Sequence, residues 1–200
     1  MTPLRYGLAA FLLVMAAGCS EQADAGVSAG CDARIRAQAG HATSEALAAA
    51  SLPILTGRVV DGAALLGATA KSNITDQSSA LEAATLDQLV VVTVPSLGGQ
   101  TIEAFGLALG KHWGIGQRDL DNGVLLIVAP NERKVRIEVG LGLETILTDV
   151  AAKRIIEEKI VPAFSAGRYE RGIIAGTSAI VAVLRTSPVR TSCPAAKVAA

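Results

Sequence analysis

The segment RDLDNGVLLIV (118–128) sets two acids and an amide, Asp119, Asp121 and Asn122, directly before an apolar run. A second segment, GLGLETILTD (140–149), sets Glu144 and Asp149 after another such run. Oxygen donors of this kind suit a hard cation, and calcium takes roughly six to eight of them. Carboxylates crowded together repel and raise one another's pKa unless a cation neutralises them. Each residue also has a local duty. Asn122-Gly123 is a turn pair, and Asp149 stands where a helix N-cap would accept backbone N–H groups. Asp119 does not open an EF-hand loop, because Val124 and Pro130 occupy the places of its glycine and its final glutamate. Singly these residues read as structure; converging, they would read as a cation site.

Whether they converge depends on the strands between them. GVLLIVA (123–129) is an unbroken apolar run, the pattern of a strand buried on both faces. VRIEV (135–139) alternates, with Val135, Ile137 and Val139 on one face and Arg136 and Glu138 on the other. The APNERK between them is too short for a parallel crossover, so the spacing predicts an antiparallel hairpin turning near Pro130–Arg133. Such a hairpin returns GLGLE to the end from which DLDN set out.

Around the hairpin the hydrophobic period changes regularly. TGRVVD and LVVVTV (89–94) read as strands, the second buried on both faces. Helical spacing runs over 63–86, interrupted at Asn73, and over 101–112, where Ile102, Phe105 and Leu109 share a face. A third helix starts at Asp149, with Pro162 expected to bend or end it. The fourth, over 168–184, carries GIIAGTSAIVAVL, too short to cross a bilayer comfortably and read as a core helix. The expected fold class is α/β: a layered sandwich with a small, mostly parallel sheet, one antiparallel hairpin at its edge, and helices on both faces.

With 50% hydrophobic and 18% charged residues the chain can bury a sizeable core, and with 3% aromatics Val, Ile, Leu and Ala must fill it. Zero net charge without a basic run speaks against a nucleic-acid partner, which needs clustered Lys and Arg. No G-x-S-x-G, H-E-x-x-H or C-x-x-C occurs, and the two histidines, His41 and His112, stand apart. His112, beside the sole tryptophan Trp113, reads as a helix-end packing residue. PSLGGQT could offer glycine N–H groups to an anion, although a plain glycine-rich turn explains it as well.

Residues 1–18 have the layout of a lipoprotein signal peptide: one basic residue, an apolar stretch, then Ala16-Ala17-Gly18-Cys19. Lipid on Cys19 would tether the protein to a membrane surface on the periplasmic side of a bacterial envelope. Cleavage after Ala25, in Ala23-Asp24-Ala25, would instead release it as a secreted or periplasmic protein. Residues 19–54 read as an Ala/Gly/Ser-rich tether with partial helical character, 55–185 as the domain, and 186–200 as a tail. In an oxidising compartment Cys31 and Cys193, near the two ends of the domain, are candidates for a disulfide, with two unpaired thiols as the alternative.

LTGRVVD (55–61), HWGIGQRDLDNGVLLIVAP (112–130), KVRIEVGLGLETILTD (134–149) and VPAFSAGRYERGI (161–173), in this order and spacing, resemble the TPM domain. The resemblance implies a compact α/β sandwich in an exported protein, divalent-cation binding, and the acid phosphatase activity attributed to some members. Other members serve in photosystem repair or receptor modulation. The family's recurrent acidic and amide positions match Asp61, Asp121, Asn122, Glu144 and Asp149 here, with Asp119 beside them. On this basis the leading expectation is calcium or magnesium held by Asp121 and Asp149, with Glu144 as a base in phosphomonoester hydrolysis. The alternative is a non-catalytic envelope factor that binds a partner protein.

Overall fold

The computed structural model describes residues 52–186. The expected signal peptide, Cys19, Cys31, Cys193 and almost all of the tether and tail lie outside them. Four strands form one sheet in the order β1-β2-β3-β4. They are β1 (Val59–Asp61), β2 (Gln88–Thr93), β3 (Gly123–Ala129) and β4 (Lys134–Val139). The first three run parallel, with Asp61 level with Thr93 and Thr93 level with Val128. β4 returns antiparallel, pairing Val124 with Val139 and Ala129 with Lys134. The expected α/β class and edge hairpin are what the chain adopts.

Period-2 alternation divides the unbroken apolar runs between two cores. Leu89 and Val91 of β2, and Val124, Leu126 and Val128 of β3, face one side. Val90 and Val92, and Leu125, Ile127 and Ala129, face the other. A single helix, α2 (Ile102–Trp113), covers the second side with Ile102, Phe105 and Leu109. The first side lies under α1 (Ala68–Thr85), α3 (Asp149–Ile155) and α5 (Tyr169–Leu184), which contribute Ile74, Leu81, Ile155, Ile173 and Ile180, with the partly buried Phe164 of α4 (Val161–Ser165) packed against them. Each side chain so buried contributes about 1.5–3 kcal/mol.

Two helices depart from the expected pattern. α1 runs unbroken through Asn73, whose Oδ1 accepts from Gln77 Nε2 at 2.7 Å one turn on. An exposed amide with a partner four residues ahead does not interrupt a helix. The helix from Asp149 neither ends nor simply bends at Pro162. It passes through a π-helical turn, Ile156–Ile160, before Pro162 enters the first turn of α4. Proline lacks an N–H and crowds the carbonyl four residues back, and the wider turn just before it absorbs that misfit. Among the described residues no helix is long and apolar enough to cross a membrane.

Leu126 is fully buried at the centre of the sheet. Leu126→Ala is expected to lower unfolding free energy by about 2–5 kcal/mol, measured by urea denaturation. A loss below about 1 kcal/mol would contradict the packing described.

Candidate functional site

At the amino-terminal end of β3 the chain is held by a buried amide. Asn122 is fully buried. Its Oδ1 accepts from Gln117 N at 2.7 Å, and its Nδ2 donates to Leu86 O at 2.7 Å. Its own carbonyl accepts from Gln88 N at 2.9 Å, and Gln88 Oε1 in turn accepts from Gly116 N at 2.8 Å. The end of α1, the start of β2 and the loop after α2 thus close on one side chain. Leu86, which caps α1, takes the left-handed conformation (φ 70°). Asn122, expected among the metal ligands, has its amide committed to backbone and is sealed from solvent.

Asp121, also left-handed (φ 45°), carries its carboxylate outward. Its carbonyl accepts from Gly142 N at 3.2 Å, and Gly140 N donates to Gly123 O at 2.8 Å. The approach is so close that a Cβ on Gly140 would meet the Asp121 carbonyl oxygen at 2.1 Å. The hairpin therefore does bring DLDN and GLGLE to one end of the sheet. Asp121 and Glu144, both exposed, border a groove of ≈ 760 Å³ between α2 and the end of β4. Leu107, Leu125 and Leu141 give the groove its apolar surface, while Lys111 and Arg118 add positive charge.

The remaining acids are distributed differently. Asp149 borders a separate small depression with Thr148 and Val150, and Glu144 borders both sites. The N-cap of α3 is Thr148, whose Oγ1 accepts from Ala151 N at 3.2 Å. Asp149 is thus the acid of the first turn and not the cap expected from sequence, although it still complements the helix dipole. Asp119 is exposed in the turn and does not border the groove. His112 is exposed in the last turn of α2, and the packing belongs to Trp113, whose Nε1 donates to Pro53 O at 2.8 Å.

Asp61 lies at the opposite end of the sheet, level with Val128. Five residues of β3 separate that level from Gly123, about 3.3 Å each. Its carboxylate accepts from Leu65 N (2.9 Å), Leu66 N (3.2 Å), Thr93 Oγ1 (2.6 Å) and Lys71 Nζ (3.0 Å). Burial alone would raise its pKa. The bonds from Thr93, Lys71 and the two amides outweigh burial and hold it below the usual carboxylate range. Asp61, expected among the metal ligands, already takes these four donors on its carboxylate.

Among the described residues no three His, Cys, Asp or Glu side chains converge to hold a metal ion. The acidic set implied by the resemblance does not fit one ion as a whole. Only Asp121 and Glu144 share the groove. The glycine-rich turn after β2 carries an internal anion: Glu132 Oε1 accepts from Leu97 N at 3.0 Å and Ser96 Oγ at 2.7 Å. Those bonds hold the Glu132 carboxyl below its usual range. Sequence reasoning missed Lys111 and Arg118. It also missed the spacing of Gly106, Gly110 and Gly114 on and after α2, the signal that this helix lies close on the hairpin. A Cβ on Gly106 would stand 2.8 Å from Ile127 Cδ1 and 3.1 Å from Glu138 Oε2.

The family model described as TPM domain matches residues 59–183. The solution structure of the N-terminal domain of a P. gingivalis protein is 33% identical, with a TM-score of 0.64, covering 69% of this chain and 91% of that one. The N-terminal domain of a Corynebacterium glutamicum protein is 18% identical with a TM-score of 0.54, covering 72% of this chain and 90% of that one. The BA42 protein of the psychrophilic bacterium Bizionia argentinensis is 19% identical with a TM-score of 0.55, covering 62% and 86%. The last two are alike in fold alone. No curated protein matches the chain.

The Asp61 network carries a pH signature. Because its pKa is depressed on folding, its contribution is complete above the unfolded value and is lost as pH falls through the folded one. Asp61→Asn is expected to cost about 1–3 kcal/mol at pH 7 and to flatten the loss of stability below about pH 4. Chemical denaturation from pH 2 to 7 checks this, and parallel curves for the two proteins would contradict it.

Proposed function

Because the chain belongs to the TPM domain family, we propose that it is an exported, non-catalytic binding domain of the bacterial cell envelope. In this reading the groove beside α2 is its working surface, and a divalent cation is held at the groove's acidic end. The observation that carries this reading is the pairing of Asp121 and Glu144. Drawn from either side of the hairpin, both residues are exposed and border the same groove, and neither has a side-chain hydrogen bond or ion pair with another described residue. Two carboxylates supply up to about four oxygens of a calcium shell, and water completes it. Calcium suits such an open site better than magnesium, which demands near-ideal octahedral geometry. A lipid at Cys19 would hold the domain at a membrane surface, where the apolar part of the groove would receive an envelope protein.

Metal-assisted phosphomonoester hydrolysis is the second reading, and one observation favours it. Lys111 and Arg118 border the same groove and could meet phosphoryl oxygens. Glu144 would then be the base. Among the described residues no serine, threonine, cysteine or histidine borders the groove, so a covalent route there would have to use a carboxylate such as Asp121.

Melting of the full chain with rising calcium tests the first reading. At calcium about tenfold above its Kd the melting temperature is expected to rise by roughly 3–6 °C, and Asp121→Asn should abolish the rise. An unchanged wild-type melt at millimolar calcium would overturn the cation site. No turnover of p-nitrophenyl phosphate above a blank is expected across pH and metals. Turnover lost in Asp121→Asn would establish the second reading over the first.

A further inference from the structure

Among the described residues β4 is the outer strand of the sheet, and one of its edges faces no other strand. The bond from Gly140 N to Gly123 O fixes the phase of the β3–β4 ladder. Antiparallel strands turn alternate residues toward each neighbour. Lys134, Arg136 and Glu138 therefore turn their N–H and C=O groups to β3. Val135, Ile137 and Val139 turn theirs outward, and these groups have no hydrogen-bond partner among the described residues. The opposite edge, β1, is only three residues long, which is a common protection against unwanted pairing. β4 is six residues long and lacks that protection.

Charged residues on an edge strand discourage addition of an arbitrary strand, but this charge pattern is complementary to itself. Arg136 and Glu138 stand two residues apart on the face toward α2. Arg136 Nε lies 2.5 Å from Glu138 Oε2, and its Nη1 lies 3.8 Å from Glu103 Oε1. If a second β4 is laid antiparallel across a two-fold axis at Ile137, Arg136 falls opposite the other copy's Glu138, twice over. On the other face Ile137 meets Ile137 and Val135 meets Val139. All the outward groups then pair, in about six hydrogen bonds. Centring the axis on Arg136 instead would oppose two guanidinium groups and leave Val139 unpaired. Charge and hydrogen bonding select the same register.

We propose that the free edge of β4 is a homodimer interface, at which two copies join their sheets into one continuous sheet. Sedimentation of the full chain over a range of concentrations tests it with two charge reversals. The wild type is expected to dimerise reversibly. Arg136→Glu and Glu138→Arg, each alone, place like charges opposite each other twice and should raise the dimer Kd about tenfold or more. An equal mixture of the two variants restores opposite charges across the seam and should associate as the wild type does. The doubly reversed protein, which also keeps the pair within one chain, should do the same. Hydrogen exchange at Val135, Ile137 and Val139 should slow as protein concentration rises. This last readout and the doubly reversed protein decide the matter even if a single variant does not fold. A wild type that stays monomeric, a dimer indifferent to both reversals, or protection at these amides independent of concentration would each overturn the proposal.

Discussion

Asn122 sits fully buried with both ends of its amide on backbone, at Gln117 N and Leu86 O. A buried polar group left without a partner costs about 1–3 kcal/mol, so this side chain dictates how three segments meet. It fixes where the loop after α2 turns and where β3 begins. The start of β3 fixes its register with β2 and β4. That register then places the Asp121 carbonyl against Gly142 N and leaves the Asp121 carboxylate on the groove. The residue is sealed from solvent, yet the geometry of the candidate site descends from it.

The two ends of the sheet have different uses. In open α/β sheets ligands usually sit beyond the C-terminal ends of parallel strands. Here that end is filled from within: Asp61 takes two amides, a hydroxyl and a lysine, and Glu132 takes the donors of the turn after β2. The carboxylates of Asp121 and Glu144, without side-chain partners among the described residues, stand at the other end, where β4 runs back antiparallel. Among the described residues a single helix, α2, covers the face of the sheet beside the groove, and its closely spaced glycines let it lie low on the hairpin.

What the sequence revealed, and what it hid, follows from the range of the interactions. Unbroken apolar runs identified β2 and β3, alternation identified β4, and a short connection identified the hairpin, all from local pattern. The family was legible in four blocks of residues in order. Orientation was not legible. Asp61 and Asn122 have the right chemistry for a cation, but their partners lie up to 36 positions away, at Thr93 and Leu86. No local pattern shows that their lone pairs are already engaged. Thr148 and Asp149 are both good capping residues, and only the backbone shows which of the neighbours is the cap. Lys111 and Arg118 looked like ordinary surface charges until the groove between them and Glu144 was formed.

In the proposed reading Asp121 and Glu144, and not the full acidic set, hold the cation. A calcium titration followed by amide chemical shifts on the labelled chain tests it most directly. Saturable shifts are expected at Asp121, Gly142 and Glu144, with Leu65, Leu66 and Thr93 around Asp61 unmoved. Shifts centred on Asp61, or none at the Asp121–Glu144 end, would contradict it.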